Sequence, residues 1–141
     1  MILSSHGLSI EYGSNKIMFP DLNINKGEHH LIIGESGSGK TSLLNVLGGI
    51  LQPSSGKVEI SGIDISQLKK TKLDSFRGNV LGFVFQTPHF VNSLNVIDNL
   101  LFTQYVSGNK ILKSEAISFL NKVGLKHKVN SKISNLSEGE K

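Results

Sequence analysis

A chain of 141 residues, 38% apolar and 18% charged, is long enough to bury one core and has the composition of a soluble globular domain. Without cysteine it forms no disulfide and no thiolate metal site; no apolar run reaches transmembrane length, and Ser4, Ser5, His6 and Gly7 interrupt any leader-like start. The net charge of +4 comes from scattered lysines, and the densest cluster (Lys69, Lys70, Lys72, Arg77) lacks interleaved aromatics, so it reads as a solvated helix face and no nucleic-acid partner is expected.

Residues 2–12 and 17–24 alternate as antiparallel strands do, with Gly13, Ser14 and Asn15 turning between them. A turn at 25–28 leads into the apolar run 29–33, which the pattern predicts as a strand. Next come Gly34, Glu35, Ser36, Gly37, Ser38, Gly39, Lys40 and Thr41, a complete G-x-x-x-x-G-K-[ST] loop. Residues 40–50 carry Leu43, Leu44, Val46, Leu47 and Ile50 at helical spacing. Strand, glycine loop and helix together form a phosphate-binding context. The glycines let the backbone N–H groups turn inward onto a diphosphate, and the helix start adds positive potential. Lys40 is then placed to reach the β- and γ-phosphates, and the Thr41 hydroxyl to ligate Mg²⁺.

Further along, residues 52–56 form a turn and 57–61 a strand, and Gly62 and Asp64 turn again. Residues 65–76 are expected to be helical in part. The nearly continuous apolar run 80–85 is predicted as a strand buried on both faces, ending at Gln86. Beyond Pro88 the chain becomes helical, over 94–106, 113–123 and a last segment from Ile133. The fold class is therefore α/β: a β-rich start, a phosphate-loop core over 1–87, and a helical subdomain over 88–141. The five histidines have no metal-site spacing; His29 and His30, adjacent on a strand, would point to opposite faces.

The run Ser36-Gly37-Ser38-Gly39-Lys40-Thr41-Ser42-Leu43-Leu44-Asn45 resembles the ATP-binding subunit of ABC transporters. So do Pro53-Ser54-Ser55-Gly56-Lys57-Val58, then Leu81-Gly82-Phe83-Val84-Phe85-Gln86, then Leu136-Ser137-Glu138-Gly139-Glu140. The blocks stand in the family's order and span nearly the whole chain. Leu-Gly-Phe-Val-Phe-Gln and the 64–68 segment are most similar to the branch serving lipoprotein release and macrolide export.

The resemblance implies a P-loop NTPase of ABC type, with an antiparallel β subdomain and a helical subdomain, binding ATP and Mg²⁺. It places residues 34–42 on the phosphates, Tyr12 on the adenine, and Gln86 beside Mg²⁺ (with Thr41) and the attacking water. Ser137, Gly139 and Glu140 would contact the nucleotide of a second, head-to-tail ATPase subunit, with a homodimer expected. Glu138 stands where the family has glycine. The implied protein docks on a separate transmembrane permease at the cytoplasmic face of the cell membrane, through the segment containing Pro88, Phe90, Val91, Leu94 and Val96.

An ATPase of this kind also needs an Asp at the end of an apolar strand for Mg²⁺ and a following Glu as general base. Asp64 follows no apolar strand, and Asp74 and Asp98 fall in helical patterns, so neither role is filled within 1–141. The resemblance places both groups after residue 141, in the C-terminal half of the core, together with the strands that flank 29–33. The 141 residues alone are thus expected to be an inactive partial ATPase domain. A soluble ABC-type ATPase uncoupled from transport, and a non-catalytic nucleotide-binding fragment, are the alternative readings. A GTPase would need Asn-Lys-x-Asp, and Asn121-Lys122-Val123-Gly124 lacks the Asp.

Overall fold

The computed structural model describes all residues, 1–141, which divide into two compact units, Met1–Leu73 and Asp74–Lys141. The first is organised on one long strand. β1 (Leu3–Tyr12) pairs antiparallel with β2 (Asn15–Met18) and β3 (Leu22–Ile24) along one edge and with β4 (Ser55–Ile60) along the other; β4 pairs with β5 (Ile63–Asp64). The register Tyr12↔Asn15 makes the first connection a tight hairpin through Gly13 and Ser14. The expected single strand over 17–24 is two, because Pro20 has no N–H to continue a ladder and Asp21 turns back. Asp21 accepts from the Gly7 N–H at 2.8 Å and lies 3.2 Å from His6 Nδ1, which holds its carboxyl below the usual range.

Leu8 and Ile10 of β1 and Val58 and Ile60 of β4 are buried, with Ile65, Leu73 and the inner side chains of α1 (Lys40–Leu47) completing the apolar interior. That inner face is Leu43, Val46 and Leu47; Leu44 and Ile50 are exposed, and the helix ends three residues short of Ile50. The β1–β4 register shifts between His6 and Ser9, and there the two backbones come very close. A Cβ on Gly56 would sit 2.5 Å from the Gly7 carbonyl and the His6 oxygen, at a φ of +85°. Gly56→Ala is therefore expected to force β4 off β1 and to lower stability by about 3 kcal/mol, from the clash and the left-handed backbone together. Urea unfolding followed by far-UV circular dichroism measures it; an unchanged midpoint would contradict the close approach.

After β5 a 3₁₀ turn (Ile65–Gln67) leads to α2 (Lys70–Val80). The second unit then contains α3 (Val96–Val106) and α4 (Lys113–Lys122), with 3₁₀ turns at Lys126–Lys128 and Ile133–Asn135. The Asn95 side chain caps α3 by accepting from the Asp98 N–H at 2.8 Å. Its core is Val96, Ile97, Ala116, Leu120, Ile133 and Leu136. The segment from Ile133 is a single 3₁₀ turn, not a helix.

Two expected strands do not form. Residues 29–33 form no strand, and Leu31 and Ile33 are each 83% exposed. Residues 81–85 form none either: α2 runs through Val80, Val84 is fully exposed, and Phe83 and Phe85 stack on one another with centroids 5.8 Å apart. The reason is the same for both. A strand buried on two faces exists only beside ladder partners, and the five strands of this chain pair among themselves in one antiparallel sheet.

Candidate functional site

The phosphate-type loop occupies 34–41 in the first unit. Gly37 and Gly39 have φ of +82° and +88°, values that L side chains rarely adopt. Gly39 is also the residue before the first turn of α1, and being glycine it offers no side chain to cap it. The first intrahelical donor at this end is the Leu43 N–H, bonded to the Gly39 carbonyl at 2.8 Å. The amides ahead of it have no intrahelical acceptor and face outward with the positive end of the helix dipole. An anion is the natural partner for such an end.

Lys40 folds back over the loop. Its Nζ donates to the Gly34 carbonyl at 2.8 Å and to the Glu35 carbonyl at 2.6 Å, leaving one of its three hydrogens uncommitted. The Ser38 N–H closes a turn onto the Glu35 carbonyl at 3.3 Å. Gly34 is tight against this turn, since a Cβ there would lie 2.8 Å from Ser38 Oγ. Thr41, one residue into α1, is exposed, as are Glu35, Ser36, Gly37 and Ser38, so the cradle opens to solvent. Two supporting residues escaped the sequence reading: a Cβ on Gly39 would come 3.2 Å from Phe19 Cε1 and 3.3 Å from Ile17 Cγ2. Only the folded sheet brings them there; their local pattern reads as ordinary strand.

Tyr12, at the end of β1, is 51% exposed, and its hydroxyl is 3.4 Å from Ser42 Oγ on α1. The fold thus gathers Tyr12 and the 34–42 loop, thirty residues apart at the contact, onto one surface. Just before the loop, Glu28 accepts from the Asn25 N–H at 2.7 Å and from the Asn25 amide at 2.9 Å. These bonds, with a smaller contribution from His30, hold its carboxyl at about 2.

Gln86 belongs to the second unit. It is exposed on an irregular segment and does not end a strand, which corrects the sequence expectation. Ser137, Gly139 and Glu140 form a turn in which the Glu140 and Lys141 N–H groups donate to the Ser137 carbonyl. Of the five apolar residues after Gln86, Val96 is buried and Phe90 packs on the second unit's core, whereas Pro88 and Val91 are exposed.

The family model described as ABC transporter matches residues 19–141. The lipoprotein-releasing system ATP-binding protein LolD of Xanthomonas axonopodis pv. citri (strain 306) is 35% identical over 99% of this chain and 60% of its own length. LolD of Saccharophagus degradans is 38% identical over 86% of this chain and 54% of its own. Among solved structures, a dimeric ATP-binding cassette in a post-hydrolysis state, bound to ADP and Pi, superposes with a TM-score of 0.86 at 27% identity. It is covered over 65% of its length and covers 99% of this chain. The chain thus spans about 60% of the length of the curated LolD relatives it matches. With the family model matching residues 19–141, the chain belongs to the ABC transporter family.

Proposed function

We propose that this chain binds ATP as the nucleotide-binding subunit of a membrane ABC exporter, and that ATP binding and hydrolysis at a head-to-tail dimer interface drive the partner permease. The observation that carries the reading is Lys40, folded across a loop whose following helix starts at an uncapped glycine. A triphosphate in that cradle would take over Lys40 from the Gly34 and Glu35 carbonyls and accept from the amides of 37–42. The Thr41 hydroxyl is an oxygen donor of the kind Mg²⁺ takes, and Thr41 is exposed at the start of α1. Bound there, Mg²⁺ would neutralise charge on the β- and γ-phosphates.

Ser137, Gly139 and Glu140 are proposed to contact the nucleotide of the second subunit, and residues 88–141 to face the permease. No helix is long and apolar enough to cross a membrane; the reading places this chain on the cytoplasmic side, against a separate membrane subunit. Tyr105, Val106, Ile111, Phe119 and Val123 are exposed on the second unit, and exposed apolar side chains are what a protein partner would cover.

Tyr12 supplies the test of the base. Its ring stands half exposed beside Ser42, so Tyr12→Ala is expected to weaken ATP binding by about 1–3 kcal/mol, the range for stacking a base on an aromatic ring. Inorganic tripolyphosphate should bind both forms equally in the same titration calorimetry. Unchanged ATP affinity would remove Tyr12 from the adenine site.

A further inference from the structure

The carboxylate of Glu140 collects both hydrogens that Ser137 can donate. Its Oε2 accepts from the Ser137 N–H at 2.8 Å and from the Ser137 hydroxyl at 3.0 Å. Its Oε1 lies 3.5 Å from Lys128 Nζ, and the two side chains are only 25% and 27% exposed. Glu138, the departure from the family pattern, is 86% exposed and 2.8 Å from Lys141, so it leaves the Ser137–Glu140 turn alone. The Ser137 N–H, above all, holds the Glu140 carboxyl below the usual glutamate range, with Lys128 adding to it, so Glu140 is an anion at neutral pH.

A conflict follows for any phosphate arriving at Ser137. A serine hydroxyl has one hydrogen, and Glu140 already holds it. The incoming anion must take that hydrogen while approaching a second anion behind it. We propose that Lys128 is a positioning residue for the trans-nucleotide contact: its ammonium balances Glu140, so that a phosphate can draw the Ser137 hydroxyl away from the carboxylate. This rests on the reading of Ser137 as a phosphate contact of the second subunit. Lys128 lies twelve residues from Glu140, on its own 3₁₀ turn, and touches no nucleotide in this scheme.

The test is ATP-driven self-association of the full-length native protein, followed by sedimentation over an ATP titration with Mg²⁺ present. Lys128→Met is expected to raise the ATP needed for half-maximal association about tenfold, as an unbalanced like charge at a partly covered site should. Lys128→Arg should match the parent. Lys128→Met should cost less than about twofold when referred to Glu140→Gln as its own parent, a rescue expected because the uncharged amide needs no balancing cation. A merely structural ion pair would give no such rescue; it would lower the melting midpoint in both single variants. If Lys128→Met costs the same in the Glu140→Gln background, or nothing in either, the proposal is overturned. Should Lys128→Met fail to fold, Lys128→Gln, measured alone and in the Glu140→Gln background, makes the same comparison. Ser137→Ala separates the two levels. If it leaves association intact, the trans-contact reading falls and the Lys128 role with it. If it weakens association while the Lys128 and Glu140 effects simply add, only the Lys128 role falls.

Discussion

Lys40→Ala is expected to abolish tight ATP binding, a loss of at least about 3 kcal/mol for a charge-assisted contact to phosphate. The loop has no second mobile cation: Lys40 Nζ alone closes over it, on the Gly34 and Glu35 carbonyls. The substitution should spare the fold. Alanine is the strongest helix former, and residue 40 opens α1 without belonging to its buried face of Leu43, Val46 and Leu47. Calorimetric titration with ATP should therefore lose its signal while the thermal midpoint stays near the parent's. Lys40→Arg should recover little, because a planar guanidinium does not replace a point charge threaded between two carbonyls. Near-parental ATP affinity in Lys40→Ala would remove the phosphate-loop assignment.

A purified polypeptide of residues 1–141 is expected to self-associate, to melt with poor cooperativity and to show no ATP turnover. The association follows from Leu31, Ile33 and Val84, which stand in water, and from the Phe83–Phe85 stack beside Val84. Both segments are unpaired and strand-like in composition, the combination that templates edge-to-edge assembly. Burying Leu31 and Ile33 would be worth about 3–5 kcal/mol, which by itself gives only about millimolar association, so the 83–85 surface must add to it before the chains associate at micromolar concentration. Leu31→Lys/Val84→Lys should reduce light scattering sharply without touching the sheet built on β1. The lack of turnover follows from chemistry, since no Asp-Glu pair follows an apolar strand within these residues to orient a water. A monomeric, cooperatively melting 1–141 polypeptide that hydrolysed ATP would refute both halves of the expectation.

What could be read from the residues alone was what their local chemistry demands. The glycines at 37 and 39 are needed because that backbone goes where a Cβ is strained, and Lys40 and Thr41 sit at a fixed offset from them. The hairpin at Gly13 and helices α3 and α4 were legible for the same reason: turn chemistry and a 3.6-residue period act over a few neighbours. Their ends were less so, as the early stop of α1 and the single turn at Ile133–Asn135 illustrate.

Tertiary structure decided everything that depends on a distant partner. The runs 29–33 and 81–85 have strand composition, but a strand is a relation between two segments, and no strand of this chain lies beside them. The break of 17–24 at Pro20, the glycine at 56 wedged against Gly7, and Ile17 and Phe19 behind Gly39 are likewise set by which backbones meet. The pairing of Lys128 with Glu140 has no periodic signature, because an ion pair between two turns reflects chain path and not sequence spacing. Hydrophobic pattern and loop chemistry are written along the chain; ladder partners, close approaches and charge balance arise only when the chain has closed on itself.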